Sequence, residues 1–486
     1  MLKPEEIKAF IERDEASEKK RAAKVGVDYY EARHDIRNYR VFFINADGVL
    51  QEDMTKSNIK ISHPFFTENV DQVVQYLLSG KDGFVKSDNP ELQKELDAYF
   101  NDNEDFMAEL YDTMTGCVAK GFENMYAYKN EEGRTVFQCA DSIGVVKVKK
   151  ALTDDGCDYV IYWYKERDRE NREIRRIQVW NESEIHFFCQ VDGGDIEKDT
   201  NEAINPRPHA LYEQNGDTYF EGYGFIPFFQ IDNNRKQTSG LVPIKALIDD
   251  YDLISCGLSN NIQDTNEALY VVKGFQGDNL DELMVNIKAK KHIGVDEDGA
   301  VEIKTIDIPY QARQTKLDLD EKNIYRFGFA LNTSGLKDTN ATTNLAIKTA
   351  YSLLDLKANK LVIRLKQFMR KLLKVVLAEV NERDGTDYRQ SDVYFDFTFE
   401  VPVNEQENAQ IELTEAQRKQ TEINTLLNLA TYLDNETLMQ SICEQLDIDY
   451  NEVKDKLPSP DDDPYAAPAV PGVGNEGGSA GGGVIE

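Results

Sequence analysis

Cysteine is scarce and unpaired in this sequence. Its six cysteines are scattered over 486 residues with no CxxC pair, which is typical of a reducing compartment. No apolar stretch approaches the length of a membrane span, and residues 1–24 lack the apolar core of a signal peptide. We therefore expect a soluble protein that is made inside a cell and binds no membrane.

The motifs that carry most enzymatic chemistry are also missing. The sequence contains no P-loop, no HExxH and no nucleophile elbow. Its five histidines are far apart in the chain, so each is predicted to be an ordinary packed or surface residue. Asp249, Asp250 and Asp252 invite a metal-site interpretation, but on a helix only the first and last of them share a face. We predict no catalytic residue, no metal and no cofactor, and therefore a protein that is not an enzyme.

Positive charge is the scarcer sign. With 56 Lys and Arg against 88 Asp and Glu, the formal net charge is −32, which argues against a chain that coats DNA along its whole length, since phosphates would be repelled. Eight of the cations lie between Asn344 and Val375, with only Asp355 against them. Two interpretations stay open, a solvated helix face and a surface that meets nucleic acid or an acidic neighbouring subunit. The candidates for such contacts are Lys348, Lys357, Lys360 and Arg364.

The clearest predicted element is a long helix that starts near residue 344 and fades at residues 381–385. Its apolar residues recur at steps of three and four, which is typical of one helix face: Tyr351, Leu354, Ala358, Leu361, Leu365, Phe368, Leu372, Val376 and Val380. Gly385 is the expected stop. Another amphipathic helix is predicted over residues 311–331, and the polar stretch 332–344 between the two is predicted to be a loop because its short side chains compete for backbone hydrogen bonds.

The chain before this pair is predicted to be helical and then β-rich. Helices are expected over residues 4–21, 63–79, 90–100 and 104–120. From residue 121 to about residue 232 the apolar period changes to two, which indicates an antiparallel sheet. A helix over residues 241–269 follows, with an apolar seam of Leu247, Tyr251, Ile254, Leu258 and Ile262. Together these elements predict the fold class α+β.

A small α/β segment is predicted between the helices of residues 241–269 and 311–331. It contains a strand at residues 270–273, a helix over residues 280–288 and a hairpin about the turn at residues 296–299. One helix then leads out and the other leads back, like a stalk that carries a head. Residues 393–402 predict a strand that rejoins the sheet, residues 405–432 and 436–446 predict helices, and residues 458–486 have a composition typical of disorder.

Several sequence stretches are informative through their joint order. The most specific is Gly222-Tyr-Gly-Phe-Ile-Pro227 with Asn233-Asn234, followed by Leu247-Ile-Asp-Asp-Tyr-Asp252. The others are Tyr29-Tyr30 with His34-Asp-Ile36, His63-Pro-Phe-Phe66 with Val70-Asp-Gln-Val-Val-Gln-Tyr-Leu-Leu78, and Leu345-Ala-Ile-Lys348 with Leu353-Leu-Asp-Leu-Lys357. In this order they resemble the SPP1-like family of tailed-phage portal proteins, over about residues 29–457. One departure is Lys81-Asp-Gly83, where a more apolar continuation is expected.

The resemblance implies a ring, usually of twelve subunits, at one capsid vertex. A separate terminase motor would drive double-stranded DNA through its central channel, and the DNA would later be ejected. In that ring, residues 1–240 would form N-terminal helices and a β-rich wing, 241–269 and 310–331 stem helices, 270–309 the clip, 332–344 the tunnel loop, 345–384 a long wing or channel helix, 385–403 a wing strand, 404–457 the crown and 458–486 a disordered tail.

Partners and contact residues follow from the same resemblance. The tunnel loop would contact DNA, without reading its sequence, through Ser334, Gly335, Leu336, Lys337, Asp338, Thr339 and Asn340. The clip would dock the terminase large subunit, and later head-completion or adaptor proteins, through Asp278, Asp281, Glu282, Asp296, Glu297 and Asp298. Major capsid and scaffolding proteins would be further partners, with assembly in the host cytoplasm and a final place in the virion. The alternatives are another structural assembly scaffold and a metal-dependent nuclease, which would need a carboxylate constellation that the sequence does not assemble.

Overall fold

The chain separates into two structural units, Met1–Pro402 and Val403–Glu486. The computed structural model describes residues 1–45, 47–54, 56–149, 156–214, 217–265, 269–275, 295–304, 310–332, 344–400, 405–429, 432, 435–446, 448–450 and 454. Within these ranges every strand belongs to the first unit. The mixture of helices and antiparallel strands confirms the predicted α+β class.

The N-terminus forms two helices where the sequence predicts one. Helix α1 spans Pro4–Glu15 and α2 spans Glu18–Tyr30. Ser17 explains the break, because its side chain accepts a hydrogen bond from the Lys20 N–H and thereby caps a new helix. After α2, a ribbon of β1 (Phe42–Ile44) and β2 (Leu50–Glu52) leads to the next helix.

Three further helices precede the β-rich region. They are α3 (Phe65–Leu77), α4 (Pro90–Leu96) and α5 (Glu104–Lys120), and the two-residue strand β3 (Val85–Lys86) lies between α3 and α4. The predicted apolar faces are confirmed, since Phe66, Val70, Val73, Val74 and Leu77 of α3 and Phe106, Leu110, Met114 and Val118 of α5 are all buried. These faces belong to the main core, together with α8 (Asn344–Asp384).

The predicted antiparallel region is confirmed as several small sheets. Its strands are β4 (Phe122–Lys129), β5 (Thr135–Ala140), β6 (Val145–Val148), β7 (Tyr159–Arg167), β8 (Glu173–Trp180), β9 (Glu184–Val191), β10 (Ile196–Lys198), β11 (Arg207–Pro208), β12 (Ala210–Gln214), β13 (Asp217–Glu221) and β14 (Phe228–Asp232). The largest sheet has the order β10-β9-β8-β7-β6 with β11 on β9, and a second has the order β14-β4-β5. Every pairing between these strands is antiparallel.

The largest sheet is buried on both faces. Along β7, Ile161 and Trp163 pack with α1 through Ile7 and its neighbours, whereas Val160 belongs to a separate cluster with Trp180 on the other face. This alternation follows from the two-residue period of a strand, in which successive side chains point to opposite faces of the sheet. The sheet is therefore covered by α1 on one side and by the β4 and β14 region on the other.

Two helices of the first unit correspond to the predicted stalk. Helix α6 spans Lys245–Thr265 and α7 spans Tyr310–Gly328, and the two pack together. Between them, β15 (Leu269–Phe275) pairs antiparallel with β16 (Val295–Lys304). The predicted hairpin is wrong, because residues 296–299 lie inside β16, at an irregularity where Lys273 is opposite Ala300 and Phe275 opposite Val295. Val295 and Ala300 therefore both pair with β15 rather than with each other, and residues 296–299 have no partner in this register.

Helix α8 matches its prediction closely. It spans Asn344–Asp384, and Gly385 follows with a left-handed φ of +66°. The predicted strand at residues 393–402 is mostly wrong, because within the described residues only Tyr394–Phe395 (β17) pairs, and its partner is β3 rather than the large sheet. The alternation beyond it reflects packing, since Phe397 lies against Phe84 and Phe399 against Tyr76.

The described residues of the second unit contain two α-helices. Helix α9 spans Glu405–Asn428 and α10 spans Asn435–Gln445. Leu438 and Cys443 of α10 are buried. No helix in the described ranges of either unit is both long and apolar enough to cross a membrane. The predicted tail at residues 458–486 lies outside the described residues.

Candidate functional site

The inward face of α6 has a carboxylate at its centre. Ile248, Asp252 and Cys256 follow one another at steps of four and are buried, and Asp252 is 0% exposed. The predicted seam lies beside this face, so its members are only partly buried and Ile262 is half exposed. A buried carboxylate is costly unless it is paired and hydrogen-bonded. The partners of Asp252 therefore decide how this region is built.

Two histidines from the N-terminal part of the chain hold Asp252. His34 Nδ1 lies 2.6 Å from one carboxylate oxygen, and His63 Nδ1 lies 2.7 Å from the other. The backbone N–H of His63 donates to the second oxygen at 3.0 Å. Burial alone would raise the pKa of Asp252, but the hydrogen bonds from His34 and His63 outweigh it and hold the pKa below its ordinary value.

A second carboxylate on α6 is held one turn earlier. The Tyr29 hydroxyl donates to Asp249, and Lys245 Nζ donates to Asp249 at 2.8 Å and to Asp35 at 2.6 Å. The Tyr29 ring stacks on His34 with 4.4 Å between the ring centroids. Burial raises the pKa of the Tyr29 phenol, and the bond to Asp249 raises it further, so the phenol stays a hydrogen-bond donor at neutral pH.

These contacts join three of the signature stretches. We call Tyr29, His34, His63, Lys245, Asp249 and Asp252 the Asp252 cluster. It ties the end of α2 and the segment before α3 to the first half of α6. Sequence reasoning singled out the stretches but did not predict that they meet. The available signal was the pair of aspartates on one face of an apolar helix, which calls for buried partners.

Beside the Asp252 cluster, Ser255 extends His63 and Asp252 into the order of a Ser-His-Asp triad, but the contact between Ser255 and His63 is long. Ser255 Oγ lies 3.5 Å from His63 Nε2, longer than the ~2.6–3.2 Å reach of a nucleophile and its base. Ser255 also lies inside α6, where helical hydrogen bonds occupy the backbone N–H groups that could stabilise an oxyanion. Among the described residues, no group of three His, Cys, Asp or Glu side chains could hold a metal ion. The contacts of the cluster connect the end of α2 and the segment before α3 with α6.

Its electrostatics predict a specific pH dependence. A carboxylate whose pKa is lowered by folding stabilises the protein above its unfolded pKa, and this contribution is lost as the pH falls through the folded pKa. Asp252→Asn should therefore lower the free energy of unfolding most at pH 5–7, and the difference from the parent should shrink below about pH 4. Asp318→Asn, which neutralises an exposed carboxylate on the neighbouring helix α7, is the control. Denaturant titrations at several pH values test this, and a difference that stays constant down to pH 3 would contradict it.

The cations of α8 are placed in different surroundings. Lys348, Lys360, Arg370, Lys371 and Lys374 are exposed, whereas Lys357, Arg364 and Lys366 are partly buried. Lys357 Nζ donates to the Gly328 carbonyl at 2.9 Å, and burial lowers the pKa of Lys357 to about 8. Lys360 Nζ lies 5.3 Å from the centre of the Phe329 ring. Of the four predicted contact cations, Lys348 and Lys360 are thus exposed, while Lys357 is used inside the subunit.

Only some of the other predicted contact residues lie within the described ranges. The predicted tunnel-loop residues Ser334 to Asn340 and the predicted clip residues Asp278, Asp281 and Glu282 lie outside the described residues. Asp296, Glu297 and Asp298 lie in β16 rather than in the predicted hairpin, and their part in docking stays a prediction.

Two phage portal proteins are similar to this chain in sequence. The portal protein of Bacillus phage SPP1 is 28% identical over 336 residues, which cover 69% of this chain and 65% of that protein, slightly less than two thirds of its length. The portal protein of Clostridium phage phiCD119 is 24% identical over 430 residues, 84% of this chain and 88% of that protein. A chain from a structure titled "Neck of native GTA particle computed with C12 symmetry" has a TM-score of 0.36 and 11% identity, and the match covers 78% of this chain and 89% of that chain.

The family profile gives the widest coverage. The family described as "Phage portal protein, SPP1 Gp6-like" matches residues 9–449. This range contains every stretch that suggested the resemblance, including those that meet in the Asp252 cluster. The chain belongs to the SPP1-like family of phage portal proteins.

Proposed function

We propose that this chain is the repeating subunit of a ring, usually of twelve copies, at one vertex of a tailed-phage capsid. Double-stranded DNA passes through the central channel during packaging and again during ejection. The observation that carries this proposal is the family match across residues 9–449. It favours the portal role over the scaffold and nuclease alternatives that the composition left open. The role is structural, and the chain supplies the path for DNA rather than the chemistry that drives it.

Exposed apolar residues on the stalk helices support assembly. Leu253 and Ile262 of α6 and Tyr310 and Leu319 of α7 are between 42% and 57% exposed, although both helices pack against the body of the first unit. The β1–β2 ribbon adds Phe42, Phe43, Ile44 and Leu50 to the exposed apolar surface. A head-to-tail ring brings a different surface of the next copy against each such patch. Ring closure would therefore cover side chains that a monomer leaves in water.

The charge distribution suits a channel that guides DNA without holding it. The net charge of −32 disfavours tight binding to phosphates over the whole surface. The exposed cations of α8, among them Lys348 and Lys360, offer isolated weak contacts that salt would screen. Contacts to phosphates carry no sequence information, so any DNA sequence can pass.

Packaging into procapsids tests the proposal. Procapsids assembled with this chain should protect DNA from nuclease when a cognate terminase and ATP are supplied. Procapsids assembled without it should protect none. Equal protection in the two preparations would overturn the proposal.

A second test concerns the clip, residues 270–309. We propose that its acidic residues dock the terminase large subunit through complementary charge, which mainly sets the association rate and its salt dependence. Charge reversal of Asp281 and Glu282 should weaken terminase-stimulated packaging while rings still form. The matched control reverses Glu131 and Glu132, which are exposed in the turn between β4 and β5. Terminase-stimulated packaging is measured over a series of salt concentrations. Equal stimulation in the clip variant and this control would contradict the docking proposal.

The remaining parts of the proposal concern place and partners. Assembly takes place in the host cytoplasm, where major capsid and scaffolding proteins enclose the ring at a unique vertex. After packaging, head-completion or adaptor proteins replace the terminase on the clip. The second unit, with α9 and α10, serves as the crown, and the β-rich part of the first unit serves as the wing.

A further inference from the structure

The end of α7 has an unusual backbone conformation. Phe329, directly after the last helical residue Gly328, has a φ of +56°, which a bulky side chain rarely adopts. The Ala330 N–H donates to the Tyr325 carbonyl at 3.0 Å and the Phe329 N–H to the Arg326 carbonyl at 3.4 Å. This is the hydrogen-bond pattern of a Schellman motif, in which glycine usually takes the left-handed position. Phenylalanine there stores backbone strain that surrounding contacts must offset.

Glycine occupies position 328, one residue before the left-handed position, and the reason is steric. A Cβ at Gly328 would lie 2.4 Å from the amide nitrogen of Asn69 on α3. Asn69 is buried, and neither polar atom of its side chain has a hydrogen-bond partner in the described structure. A buried unsatisfied amide is unfavourable, so the close approach of α3 to the end of α7 must be maintained by other contacts.

Helix α3 supplies two of those contacts. The Gln72 side chain accepts a hydrogen bond from the Leu331 N–H at 2.8 Å and donates to the Leu331 carbonyl at 3.0 Å. One turn earlier, Glu68 accepts a hydrogen bond from the Tyr325 hydroxyl at 2.6 Å. Gln72 thus pairs with both backbone groups of Leu331, as a neighbouring strand would. Leu331 lies two residues after the strained Phe329.

Helix α8 holds the same turn from another element. Lys357 Nζ donates to the Gly328 carbonyl at 2.9 Å, which satisfies one of the acceptors that a helix C-terminus leaves free. The Lys360 ammonium lies near the face of the Phe329 ring, a favourable cation–π arrangement. The turn is therefore held by side chains of two helices that are far apart in sequence.

We infer that Gln72 and Lys357 are positioning residues, which hold the left-handed turn at Phe329 and so fix the direction in which the chain leaves α7. The inference rests on the proposed function in one respect. In a packaging ring, every copy must direct this exit in the same way for the channel to be regular. Neither residue needs to touch DNA for this purpose.

Amide hydrogen exchange of assembled protein, measured by mass spectrometry with fragmentation, tests the hold on the turn. Gln72→Met removes both bonds to Leu331 while keeping a side chain of similar length, and should speed exchange at Leu331 about fivefold. Exchange at Ile324, inside α7, should not change. Lys357→Met acts from α8 and provides an independent variant if the first does not fold. The control is Gln75→Met, which alters an exposed glutamine on α3.

Packaging by the same variants tests positioning. Rings of Gln72→Met or Lys357→Met should protect less DNA than rings of the control, and Lys357→Arg, which retains a donor, should restore protection. Unchanged exchange at Leu331, or a parallel rise at Ile324, would overturn the hold on the turn. Faster exchange at Leu331 with packaging equal to that of Gln75→Met would overturn positioning. If parent rings do not package DNA, the proposed function fails, and the exchange result still decides whether the turn is held.

Discussion

Phe368→Ala should lower the free energy of unfolding of the first unit by about 3–5 kcal/mol, the usual cost of removing a large buried aromatic side chain. Phe368 is 1% exposed and lies in the largest apolar cluster, at the centre of the apolar face of α8. The loss combines the transfer of the ring to water in the unfolded state with the cavity left among helices that cannot fully collapse.

The neighbouring residue provides a matched control for this substitution. Gln367 is exposed on the same helix, so Gln367→Ala should change stability by less than about 0.5 kcal/mol. Chemical denaturation followed by circular dichroism measures both variants. Equal effects of the two substitutions would show that the buried face of α8 does not organise the core.

The second large effect concerns the predicted tunnel loop. Deletion of residues 336–341, or Lys337→Glu, should sharply reduce DNA packaging or retention in at least one variant while rings still form. The stretch connects α7 to α8, and Lys337 and Asp338 are its only charged residues. Its hydroxyl and amide groups can contact phosphates without reading bases, and Lys337, repeated around a ring, adds a weak, salt-sensitive attraction.

The control for the loop is a change of equal charge elsewhere. Lys322→Glu lies within α7, away from the loop, and should leave packaging near the parent level. Nuclease protection and retention of packaged DNA are measured for each variant after its rings have been confirmed by electron microscopy. Parent-like packaging and retention in both loop variants would mean that the loop makes no contact of consequence with the duplex.

Long periodic elements could be predicted from the sequence because their signal is repeated many times. In α8, Leu354, Leu361 and Val380 are buried as the three-and-four spacing predicts, and the helix ends at the expected glycine. Each turn of such a helix adds the same information, so one irregular position does not obscure it.

The inward face of α6 could not be predicted in the same way. The spacing of apolar residues predicts that Leu247, Tyr251 and Ile254 face the core, but the row of buried residues on this helix contains Asp252. An aspartate becomes a core residue only through partners, and His34 and His63 are 218 and 189 residues away in the chain. No local pattern contains a pairing over such a separation. The same limit applies to the hydrogen bonds between Gln72 and Leu331, which are 259 positions apart in the chain.

Two short local patterns did not form the elements that they predict. Asp296, Glu297, Asp298 and Gly299 have the composition of a tight turn, yet they lie within β16 where its pairing with β15 is irregular. The alternating aromatic residues at Phe395, Phe397 and Phe399 predict a strand, but the last two are ordered by ring packing on Phe84 and Tyr76. At Phe397 and Phe399, tertiary contacts replaced the local preference.

The most direct test of the central claim is the oligomeric state of the purified chain at micromolar concentration, seen by native mass spectrometry and by electron microscopy of the same sample. We expect closed rings with one axial channel wide enough for a DNA duplex, and a single dominant mass corresponding to the number of copies counted in the images. A sample that is monomeric by mass, with no rings on the grids across a range of salt concentrations, would contradict the account.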